Sequence, residues 1–93
     1  MNKEKLNKAR VKVDLIDKNI FKLIKVRSKV VSYMLSLKQY KKEIVDHQRI
    51  NKILKNIKKK SIQDGVDPKV TKKIWKSMIW AYVDYQRRNF KKK

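Results

Sequence analysis

An all-α fold of one long helix and two shorter ones is predicted by three observations. The chain holds one Gly and one Pro, both after residue 64, so nothing between Met1 and Lys60 forces a break. Apolar residues recur at Leu6, Val13, Ile16, Ile20, Leu23, Ile24, Val30, Val31, Met34 and Leu37, the three-and-four spacing of one helical stripe. No segment carries a strand signal. A helix over the first forty residues would be roughly 50 Å long at about 1.5 Å per residue. The rest of a 93-residue chain is too short to cover such a stripe. The simplest cover is a second copy, in an intertwined two-fold homodimer.

The first helix is expected from about Lys3 to about Gln39, and residues Gln39 to Val45 read as a connection. Asp46 suits the N-cap of the second helix, because its short carboxylate can accept from the free N–H groups of the next turn. Ile50, Ile53, Leu54 and Ile57 then repeat at helical spacing. Lys58-Lys59-Lys60 falls toward the end of this helix, where cations suit the negative pole of the dipole, and reads as solvated. Gly65 suits the left-handed position that stops the helix. Asp67 and Pro68 suit the N-cap and first position of the third. Val70, Ile74, Trp75, Met78, Ile79, Tyr82, Tyr85 and Gln86 follow on that helix. Residues 1–93 are taken as one helical domain, whose basic tail, 88–93, is expected to fray.

Composition removes several function classes. With no cysteine there is no disulfide framework, thiolate metal site or cysteine nucleophile. One histidine argues against a histidine metal site or a Ser-His triad, so neither metal nor cofactor is expected. The segment MNKEKLNKAR lacks an apolar signal core, and no apolar run approaches membrane-spanning length. A cytoplasmic protein with no membrane partner is the expectation.

A net charge of +20, from 28 Lys plus Arg against 8 Asp plus Glu, raises the question of nucleic acid. The lysines are spread along the chain instead of gathered on a stripe, which favours lysine as the default surface residue over a phosphate-binding face. Nucleic acid is therefore not the expected partner. The five arginines, Arg10, Arg27, Arg49, Arg87 and Arg88, are more informative. Where lysine is the default, a guanidinium supplies what an ammonium cannot, a planar fork that grips carboxylates with two hydrogen bonds.

On a helical wheel of about 100° per residue, Arg27 and Lys38 share a face about 16 Å apart along the axis, close enough for two long side chains to hold a small dianion. Arg10 points about 100° away from Arg27, so it cannot serve the same pocket on its own helix and could reach that of an antiparallel partner. The alternative for each of these cations is a surface residue with its stem on apolar neighbours. Gln86 falls one turn after Tyr82 on the core side of the third helix. An inward amide there must be satisfied by a backbone group, a tyrosine or a ligand oxygen. Arg49 and Ile50 occupy the first turn of the second helix, where an anion would be welcome.

These residues carry a resemblance. The segments ARVKVDLIDKNIFKLIKVRSKVV, Lys38, VDHQR, DGVDPKVTKKIW and YVDYQ resemble the all-α class of chorismate mutases and the related isochorismate-pyruvate lyases over residues 5 to 90. The resemblance rests on the ordered set Arg10, Arg27, Lys38, Arg49 and Gln86. It implies an intertwined homodimer with two shared sites. Arg27 and the partner's Arg10 would clamp the carboxylates of a small dianionic substrate. Lys38 and Gln86 would donate to its ether oxygen, and Arg49 would support the pocket, with Asp46, Ile50 and Tyr82 completing the set around the substrate. In the mutases a Glu usually follows the arginine matched by Arg49 and binds the ring hydroxyl; here Ile50 stands there. The lyase also has an apolar residue there, and its spacing matches without a gap. The resemblance therefore implies a lyase first and a mutase second.

Overall fold

The computed structural model describes residues 2–91. Three helices are present among them and no strand: α1 over Lys3–Leu37, α2 over His47–Asp64 and α3 over Pro68–Asn89. The expected all-α architecture, one long helix followed by two shorter ones, is what forms. The chain divides into two compact units, Met1–Ser32 and Tyr33–Lys93.

The first unit is the body of α1. Its apolar positions lie open: Leu6, Val13, Ile16, Ile20, Leu23, Ile24 and Val30 are all exposed, from 40% at Ile24 to 70% at Leu23. None of its described residues is buried. A lone helix has nothing to pack its stripe against, so the amphipathic pattern is present without a core.

The second unit has one. Leu35, Ile44 and Val83 form a buried cluster with Val45 and Phe90 packed against it, and Ile79 is buried as well. α2 and α3 make a helical hairpin through the three residues between Asp64 and Pro68. Gly65 takes φ 72°, the left-handed conformation. The Gly65 N–H donates to the Ile62 carbonyl and the Val66 N–H to the Ser61 carbonyl at 2.8 Å, the paired bonds of a Schellman ending. Asp67 then accepts from the Lys69 N–H at 2.8 Å, with Pro68 at the start of α3. The side chains reinforce this hairpin: buried Ser61 donates to the Ile57 carbonyl and shares a 2.7 Å hydrogen bond with Thr71.

The connection between α1 and α2 lies close to where it is expected. α1 ends at Leu37, just short of the expected Gln39, and a short 3-10 turn over Lys41–Glu43 follows. The cause is Glu43. One of its carboxylate oxygens accepts the backbone N–H groups of both Gln39 and Tyr40, each at 2.7 Å, withdrawing them from further helix. α3 runs through Arg88 and Asn89, with an exposed Arg88–Asp84 ion pair of 2.9 Å. Lys92 and Lys93 of the tail expected to fray lie outside the described residues. No helix among the described residues is long and apolar enough to cross a membrane.

Candidate active site

The second unit brings Lys38 and Gln86 together across forty-eight residues of sequence. Lys38 sits one residue beyond α1, and its N–H still bonds the Leu35 carbonyl at 3.1 Å. It therefore stands between the last turn of α1 and the turn that Glu43 holds. From there Lys38 Nζ donates to Gln86 Oε1 at 2.7 Å. Gln86 is 7% exposed, on the inner side of α3 as its spacing predicts. Its Nε2 donates to the Tyr82 carbonyl one turn earlier, at 3.2 Å. These two contacts orient the amide, with the oxygen toward the ammonium and the nitrogen toward the backbone.

The donor inventory follows. An ammonium carries three N–H groups and a primary amide nitrogen two. One of each is engaged in these contacts, which leaves two donors on Lys38 and one on Gln86 for an acceptor. One donor carries a full charge and the other is neutral and does not titrate.

Two carboxylates stand near the ammonium. Partial burial of Lys38 pushes its pKa below the usual 10.5, while the charges of Glu43 and then Asp46 act in the opposite sense. Lys38, Glu43, Val45, Asp46, His47 and Gln48 line an open cleft of about 510 Å³. Glu43 itself is held below the usual carboxylate range, first by the Tyr40 N–H, which desolvation opposes, and further by the Gln39 N–H and the charges of Lys38 and Lys42. Asp46 caps α2 as expected, accepting from the Arg49 N–H at 3.0 Å.

The remaining expected residues fall as follows. Ile50 and Tyr82 are half-buried in the second unit, while Arg49 and His47 are exposed on the first turn of α2. Arg10, exposed, and Arg27, half-buried, belong to the first unit. Glu43 was absent from the expected set. Its signal in the sequence is its isolation, for it is the one carboxylate between Asp17 and Asp46.

A family model for chorismate mutase type II matches residues 9–87. The chain belongs to the chorismate mutase type II family. The match begins one residue before Arg10 and ends one residue after Gln86, so it spans every candidate residue named above. No curated protein and no solved structure matches the chain. As a family of enzymes that act on chorismate, chorismate mutase type II supports a pericyclic function on a chorismate-type small molecule.

Proposed function

We propose that the chain is a chorismate mutase, rearranging chorismate to prephenate in a two-fold dimer with shared sites. Membership of the family supports the reaction class, and the single observation that carries the site is the Lys38–Gln86 hydrogen bond. A Claisen rearrangement needs no acid, base or nucleophile. The protein has to hold a dianion in its compact, reactive conformation and stabilise negative charge growing on the ether oxygen as the C–O bond breaks. Lys38 and Gln86 are the donors for that oxygen. Arg27 of one chain and the partner's Arg10 grip the two carboxylates, Arg49 supports the pocket, and Asp46, Ile50 and Tyr82 border the substrate. The exposed apolar stripe of α1 favours a second copy as its cover. The net charge of +20 would speed capture of a dianion, and less so at high salt.

Ile50 favours a second reading. An apolar side chain cannot bind the ring hydroxyl as the usual Glu does, and the lyase that turns isochorismate into salicylate and pyruvate has an apolar residue there. Purified protein given each substrate separates the two readings. Loss of chorismate absorbance with formation of prephenate is expected for the mutase, and salicylate fluorescence from isochorismate would transfer the assignment to the lyase. Turnover of neither would overturn both.

A further inference from the structure

We infer that Glu43 is a positioning residue for Lys38, acting both through the backbone that carries it and through its charge. The inference rests on the reading of Lys38 as the charged donor of the site. Three independent features of the second unit support it.

The first is where the chain stops being helical. Lys38 is the first residue past α1, and the next two N–H groups, of Gln39 and Tyr40, both end on Glu43 Oε2. With its own N–H on the Leu35 carbonyl, the Lys38 backbone is held on both sides. Without the carboxylate, the N–H groups of Gln39 and Tyr40 would lose the acceptor that holds the turn directly after Lys38. The path from Lys38 to the helices that follow, α3 with Gln86 among them, would then be less tightly held.

The second is the cleft. Lys38 and Glu43 line the same open depression. The third is electrostatic. The charged groups acting on Lys38 are Glu43 from the turn and Asp46 from the α2 cap, while α3 presents the neutral Gln86. His47 also lines the cleft, and Lys42 acts on Glu43. Burial favours loss of the Lys38 proton, and Glu43 is the larger of the two opposing charges. An ordinary turn cap would account for the first feature and would be indifferent to the third.

The test separates backbone from charge. Glu43→Gln keeps an oxygen acceptor for the two N–H groups and removes the charge. Glu43→Asp keeps the charge on a shorter arm, and Glu43→Ala removes both. Lys38 is titrated by side-chain NMR, amide exchange is read at Gln39 and Tyr40, and kcat and KM are measured against pH with whichever substrate is turned over. In Glu43→Gln the two amides should stay protected while the Lys38 titration and the alkaline limb of kcat move to lower pH. Glu43→Asp should bring that titration back toward wild type. Glu43→Ala should also lose the amide protection and on the order of tenfold in kcat, with KM little changed. A Lys38 titration identical in wild type and Glu43→Gln would overturn the charge role, and wild-type amide protection in Glu43→Ala would overturn the backbone role. If neither substrate is turned over, the proposed function falls, and the NMR titration still decides whether Glu43 acts on Lys38.

Discussion

The two units of this chain share amphipathic helices and differ in whether the apolar face is covered. In the first unit, Ile20 and Leu23 are 47% and 70% exposed at ideal helical spacing. In the second, Ile79 and Val83 occupy the same kind of spacing and are 6% and 4% exposed. Periodicity says which face would be buried and is silent on what buries it. For the second unit the cover is local: the α2–α3 hairpin closes through three residues, and the turn at Glu43 brings Leu35 and Ile44 to Val83. For the first unit, the proposed cover is another molecule. The catalytic proposal divides along the same line, with both donors in the self-covered unit and both carboxylate-gripping arginines in the open one.

The largest expected effect tests the self-covered half. Lys38→Ala should lower kcat by about a thousandfold, the scale for losing a charged donor to a developing anion, while far-UV circular dichroism stays that of a helical protein. A near-native rate would remove Lys38 from the site. Next comes the contrast in burial. Ile79→Ala should destabilise by about 2–5 kcal/mol in chemical denaturation, as expected for a buried isoleucine. Ile20→Asp should instead act on association, giving a smaller species in sedimentation while the second unit keeps its amide protection. Unchanged sedimentation would break the idea that the stripe is covered by a second copy.

Mixing Arg10→Ala with Arg27→Ala then tests whether the sites are shared. Heterodimers would carry one intact site of two, so a statistical mixture should recover about a quarter of native activity from two inactive parents. No recovery after confirmed subunit exchange would refute sharing. The smallest effect concerns the hairpin: Gly65→Ala places a Cβ at φ 72° and should lower stability by about 1 kcal/mol, with no neighbouring atom within 4 Å to add to it. A larger loss would show that the turn carries more than its own strain.

The sequence by itself determined the three helices, the caps at Asp46 and Asp67, the stop at Gly65 and the inward face of Gln86. All of these follow from interactions within a few residues or from the 3.6-residue period, which is why they could be read along the chain. The end of α1 is set locally as well, by the Glu43 carboxylate that takes the N–H groups of Gln39 and Tyr40. Only the tertiary structure joined Lys38 to Gln86, a contact between residues 48 apart that no local pattern encodes. It also showed the Gln86 amide held within the chain by a backbone carbonyl on one side and an ammonium on the other. Local hydrogen bonding and periodicity are written in sequence neighbours, whereas a site is a meeting of distant side chains that exists only once the core has closed.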